Sequence, residues 1–219
     1  MKKLILVITA LITVISSGSA QQNRDSINVV TDFRTKLMLG LKMGGNYSKI
    51  YDSKDNNFKT DGKLGFATGA FISIPISKLI GIQPEVLFSQ RGYKASSSSI
   101  LGNYSLTRTT SYLDIPILFA VKPSEYITIL AGPQYSYLVK STDVFTSGNV
   151  SVEQQQQFKN QNLRTNTLCF TGGVDLTMKH LVISTRVGWD LQDNTSDGNS
   201  TVPRYKNVWY QMMVGYRMY

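Results

Sequence analysis

Cysteine and histidine are almost missing: Cys169 and His180 are each the only one of their kind. A single thiol excludes an intrachain disulfide framework. One thiol and one imidazole on different segments have no metal-ligand spacing. A Ser-His-acid hydrolase would need its histidine aligned with a serine and a carboxylate, whereas His180 falls in an expected two-residue turn. No glycine pattern forms a phosphate cradle. After residue 20 there is no uninterrupted apolar run of the roughly eighteen residues that a membrane-spanning helix requires. Any insertion into lipid must therefore use a closed sheet, the other architecture that satisfies its backbone there.

Clustered positive charge is also missing. The formal charge is +9, but Lys49, Lys54, Lys59, Lys94, Arg164, Arg204 and Lys206 are scattered among acids in several connections. Nucleic acid requires a basic stripe, so it is set aside as a partner. Asp52, Asp55 and Asn56 could hold a weak cation in the first connection, but a solvated loop is the simpler reading. These absences together argue against an enzyme and against any cofactor or metal.

What is present begins with Lys2 and Lys3, then the apolar run Leu4 to Ile15, then Ser16, Ser17, Gly18, Ser19 and Ala20. A charged start, a short apolar stretch and small residues at a cleavage site describe a secretory peptide over residues 1–20. Its removal lowers the formal charge to +7, since Lys2 and Lys3 are its only charges. Residues 21–36 are polar and without period, and read as a flexible lead.

From residue 37 to 219 the chain alternates apolar and polar residues in eight runs, the signature of two-faced strands. The runs cover about 37–45, 63–76, 81–91, 111–121, 126–139, 166–178, 181–191 and 208–218. Connections after the second, fourth and sixth runs are two to four residues or so, and the others about fifteen to twenty-five, including Tyr93 to Thr109 and Lys140 to Thr165. Short turns at one end and long loops at the other are the asymmetry of an up-and-down transmembrane barrel. Period alone does not say which face is inside.

Three features do. Glycine is concentrated on the polar face, at Gly40, Gly44, Gly65, Gly69, Gly132, Gly173, Gly188 and Gly215; a crowded eight-stranded interior needs small residues. Charges on that face balance, with Lys42, Arg91, Arg186 and Arg217 against Glu85, Asp114, Asp175 and Asp190, and enclosed charges must pair. Apolar-face aromatics fall near strand ends, with Tyr137, Trp189 and Tyr210 toward the long loops and Phe119 and Tyr216 toward the short turns, as interfacial girdles require. The polar face is therefore expected to be a narrow, salt-bridged lumen. Pro75, Pro84, Pro116 and Pro133 lie inside these runs, where each removes a ladder donor; they suggest bulges or displaced strand ends.

The segments GIQPEVLFSQRG (81–92), YLDIPILF (112–119) and LAGPQY (130–135) resemble the outer-membrane β-barrel family of Bacteroidetes, known as PorT-like or porin-family proteins. The closing GYRMY (215–219) is similar to the aromatic-ended last strand that the outer-membrane assembly machinery recognises, with Tyr216, Met218 and Tyr219 as the signal. It departs slightly, because the aromatic end would come at Met218. The expectation is an all-β, eight-stranded antiparallel barrel of the cell outer membrane, contacting lipid, the assembly machinery and an unidentified extracellular or envelope protein. A structural or adhesion role leads; a place in an envelope or secretion complex, or a narrow pore, is the alternative.

Overall fold

The computed structural model describes residues 32–53, 60–99, 102–147, 150–156, 164–194 and 205–218. The expected secretory peptide, the lead as far as residue 31, Asp55, Asn56 and Tyr219 lie outside the described residues.

The alternating runs become strands: β1 (Met38–Ser53), β2 (Thr60–Pro75), β3 (Ile80–Ser99), β4 (Gly102–Val121), β5 (Ile127–Ser147), β6 (Val150–Gln156), β7 (Asn166–Met178), β8 (Leu181–Asp190) and β9 (Tyr205–Met218). All pairings are antiparallel between neighbours, β9 pairs with β1, and β4 pairs with β5. The sheet closes as an eight-stranded up-and-down barrel. β6 is not a barrel stave: it pairs with Ser141–Ser147 of β5, whereas β7 pairs with Ile127–Tyr137 of the same strand.

Exposure settles the faces. Leu41, Met43, Leu64, Val86, Ile117, Phe119, Ile129, Met212, Val214 and Tyr216 all point outward and are exposed. Lys42, Glu85, Arg91, Asp114, Asp175, Arg186 and Asp190 point inward and are buried. A belt of exposed leucine, isoleucine and methionine around a closed sheet requires hydrocarbon as its solvent. Tyr47, Tyr135, Tyr137 and Tyr210 ring its long-loop edge, and Phe119, Tyr126 and Tyr216 its short-turn edge.

Two expected loops are largely strand. β3 runs to Ser99 and β4 starts at Gly102, so most of Tyr93 to Thr109 is a long hairpin. β5 continues to Ser147 and turns back as β6, inside the expected 140–165 connection. In β5 a register shift accompanies the extension: Tyr112 faces Leu138 but Ser111 faces Lys140, leaving Val139 as an extra residue. Such a bulge flips the alternation, so inward positions change from Gln134, Ser136 and Leu138 to Ser141 and Asp143. A period-two reading stops there. Further shifts fall between Gly62 and Ala67 and between Ile50 and Asp52, also at the long-loop end.

The prolines do not bulge. Register is unchanged across Pro84 and Pro116; the β3–β4 ladder merely lacks partners between Pro84–Ile117 and Leu87–Asp114. Part of the expected flexible lead is ordered at the short-turn end. Phe33–Thr35 form one 3-10 turn, capped by the Asp32 side chain accepting from the Arg34 amide at 3.1 Å.

Candidate functional site

The inward face of the strands stacks charges in tiers along the barrel. Toward the short turns, Lys42 of β1 lies 2.6 Å from Glu85 of β3. Arg186 of β8 bridges Glu85 at 3.3 Å and Asp175 of β7 at 2.6 Å. Gln83 donates to both carboxylates, at 3.0 and 3.1 Å. The Lys42 ammonium also lies 5.4 Å from the Phe71 ring centre. Four strands meet in this tier, so its charges tie the register of β1, β3, β7 and β8 together.

Toward the long loops, Arg91 of β3 lies 2.7 Å from both carboxylate oxygens of Asp114 on β4 and 3.7 Å from Asp190 on β8. Ser89 and Ser136 donate to Asp114 at 2.5 and 2.6 Å. Asp190 accepts from the Asn207 amide and side chain at 2.9 and 2.6 Å. The guanidinium is held between rings, 3.5 Å from the centre of Trp209 and 4.7 Å from that of Tyr112. Cys169 is buried beside this tier, with its sulfur 3.3 Å from Asp190 and 3.4 Å from Ser136.

A third tier lies beyond the apolar belt. Arg108 of β4 makes two 2.7 Å hydrogen bonds to Asp143 of β5, under an edge-to-face Tyr93–Tyr205 pair. Burial works against the Arg108 charge, but the bond to Asp143 holds its pKa above the ordinary arginine value. Burial likewise pushes the Tyr93 phenol above the usual tyrosine range. The sequence assigned Arg108 to a loop and Asp143 to another, so neither entered the expected network. On β4 the even-numbered positions Arg108, Thr110, Tyr112 and Asp114 are all buried, so the inward phase of Asp114 carried back along the strand is the signal that could have found it.

The structure thus brings seven of the eight expected charges into two clusters, three cations serving four acids. Arg217 is elsewhere, at the short-turn end, where it lies over the Phe33 ring at 5.3 Å and donates to the Lys179 carbonyl. Residue 217 is the penultimate residue of β9, and its side chain lines a short-turn cavity together with Asp175 and Gln83 of the first tier. Tyr216 and Met218 are exposed on the lipid-facing side.

The lumen is also less polar than the sequence suggests. Phe71, Leu118, Leu130, Met213 and Trp209 are buried inward. Glycines make their room: a Cβ at Gly188 would overlap the Trp209 ring, and one at Gly40 would overlap Phe71. His180 is in the β7–β8 turn, its Nδ1 3.0 Å from the Arg217 carbonyl oxygen and its ring stacked on Tyr216. Among the described residues no group of histidine, cysteine and acids could hold a metal.

The sequence profile of a family described as "Outer membrane protein beta-barrel domain" matches residues 19–196. No curated protein matches the chain. Among solved structures the barrel is similar to Ail, the attachment invasion locus protein of Yersinia pestis, at 15% identity and TM-score 0.45, covering 83% of this chain and 98% of that one. It is also similar to Neisserial surface protein A (9%, TM-score 0.40, 83% and 96%). A third is OprG from Pseudomonas aeruginosa (12%, TM-score 0.38, 83% and 96%).

Proposed function

The chain belongs to the outer membrane protein β-barrel domain family, and from that premise we propose that it is a non-conducting, non-catalytic barrel presenting an interaction surface outside the cell. The observation that carries this is the pairing of a filled lumen with strands that outrun the membrane. A tilted strand crosses the hydrocarbon in about ten residues, yet β3 and β4 have 20 each and β5 has 21. The excess builds an antiparallel sheet of β3, β4, β5 and β6 beyond the belt. Its last strand, β6, has one ladder partner among the described residues. Free ladder edges recruit extended partner segments.

Among the described residues the single histidine is at the short-turn end, beside the Arg217 carbonyl oxygen and stacked on Tyr216, a placement that favours a structural over a catalytic role. The PorT-like resemblance of 81–92 and 112–119 favours a Bacteroidetes envelope protein, whose partner is an adhesion target or a subunit of an envelope complex. The test shortens 141–156 to a tight turn and compares affinity capture of the native and shortened barrels from cross-linked outer membranes. Loss of specific co-purifying proteins with the barrel still folded supports the reading. Identical captures, or steady conductance steps of the native protein in planar bilayers, overturn it.

A further inference from the structure

Lys42 and Lys122 are both buried amines in the short-turn half of the barrel, 2% and 3% exposed, but different things shut them in. Lys42 is enclosed by the sheet itself, on β1 and 2.6 Å from Glu85 in the first tier. Lys122 lies just past the end of β4. Its Nζ is 3.1 Å from the Ser73 hydroxyl of β2 and 3.5 Å from the Arg34 carbonyl oxygen. Arg34 belongs to the 3-10 turn that precedes β1, and Phe33 and Arg34 of that turn form part of the wall of the cavity in which Ser73, Gln83 and Lys122 meet. The cavity is lined by charges of both signs, Lys122 and Arg217 with Glu125 and Asp175. It therefore favours no single ion, and the turn is better read as its cover.

That cover is held differently from everything beneath it. Phe33–Thr35 bury none of their own residues. The amides of Thr35 and Lys36 bond back to the carbonyl oxygens of Asp32 and Phe33 rather than to the sheet. Its ties to the barrel include Asp32 to Lys78 at 3.0 Å, with the Lys78 side chain 63% exposed, Phe33 against the Arg217 guanidinium at 5.3 Å, and the Lys122 bond to the Arg34 carbonyl oxygen. Exposed ion pairs and rim cation–π contacts are individually weak, and a segment without ladder bonds or buried residues opens at the low end of the stability range. We propose that residues 32–36 are a detachable strap, which opens as a unit while the barrel stays folded and uncovers Lys122 and Ser73 at the short-turn mouth. The tiers behind the mouth stay closed. Opening thus changes the surface shown on the short-turn side without making a pore, and does not depend on what the sheet of β3 to β6 binds.

The experiment acetylates the folded native barrel in detergent with acetic anhydride, at one pH and at several urea concentrations below the unfolding midpoint, and follows each lysine by mass spectrometry. Lys122 should react at a rate that barely changes with urea, because a local opening exposes little surface. Lys42 should react only with the steep urea dependence of the whole barrel, and without urea about tenfold or more slowly than Lys122. Phe33→Ala, which weakens the strap without changing its charge, should speed Lys122 severalfold and leave Lys42 as it was. Equal protection of the two lysines, or a shallow urea dependence for both, would overturn the strap. So would Phe33→Ala leaving Lys122 no faster, or speeding Lys42 equally. The comparison of the two lysines in the native chain decides the matter even if Phe33→Ala does not fold.

Discussion

Arg91 shows how one side chain can be both indispensable and replaceable. It is buried between Trp209 and Tyr112 and bonded to both oxygens of Asp114. Removing only Asp114 leaves a desolvated cation, which costs about 3–5 kcal/mol, whereas exchanging the whole pair for apolar groups can be near neutral. Asp114→Leu should therefore lower the urea midpoint of the refolded barrel strongly, and Arg91→Met with Asp114→Leu and Asp190→Asn, which removes every charge of the tier, should recover most of the loss. If the triple variant were no better than the single, pairing would not be what holds this tier. Gly188 is the complementary case. Alanine there collides with the Trp209 ring, and overpacking costs about 1–3 kcal/mol. Gly188→Ala should destabilise by that amount in the same assay, and the same glycine change made in a Trp209→Leu background should cost less. The glycines of the polar face were legible as a sign of crowding, but the rings that crowd them were not. Trp209 and Phe71 are apolar residues on the polar side of the alternation, a position that sequence alone assigns to nothing in particular.

At the scale of elements, the eight crossings were readable because lipid outside and charge inside impose strict period two. The sheet beyond the membrane was not, because the bulge at Val139 changes phase at the height where lipid stops enforcing it. Ser, Thr and Gln then replace leucine on both faces, and no contrast remains to read. Asp32 anchors the opposite end. Its carboxylate pairs with Arg34 at 2.8 Å and with Lys78 at 3.0 Å, the latter in the β2–β3 turn. Those two cations hold its pKa well below the usual carboxylate range, Arg34 first. A depressed acid stabilises the fold above its unfolded pKa, near 4, and the contribution disappears as pH falls from there toward the folded value. Amide exchange of residues 33–36 should therefore be unchanged between pH 7 and 5, after correction for intrinsic rates, and lose protection only below about pH 4. Asp32→Asn should show the unprotected behaviour at every pH. Protection lost already near pH 5 would contradict the pairing.

For the whole molecule, sidedness follows from the connections. β2–β3, β4–β5 and β7–β8 turn within residues 76–79, 122–126 and 179–180, while β1, β3 and β8 end, and β2, β4, β7 and β9 begin, at the other end. Barrels of this class enter the outer membrane with short turns on the periplasmic side. The apolar belt fixes depth and the tiers fill the bore, so that sidedness predicts the sheet of β3 to β6 on the cell exterior. An epitope inserted between Ser147 and Val150 should be labelled by antibody on intact cells. One inserted between Lys179 and His180 should be labelled only after the outer membrane is permeabilised. The second insertion also interrupts the His180–Tyr216 stack, so its folding is checked independently by the heat-dependent gel shift of the closed barrel. Labels in the reverse pattern, with both barrels folded, would place the sheet of β3 to β6 in the periplasm and the β7–β8 turn outside, and would overturn this sidedness.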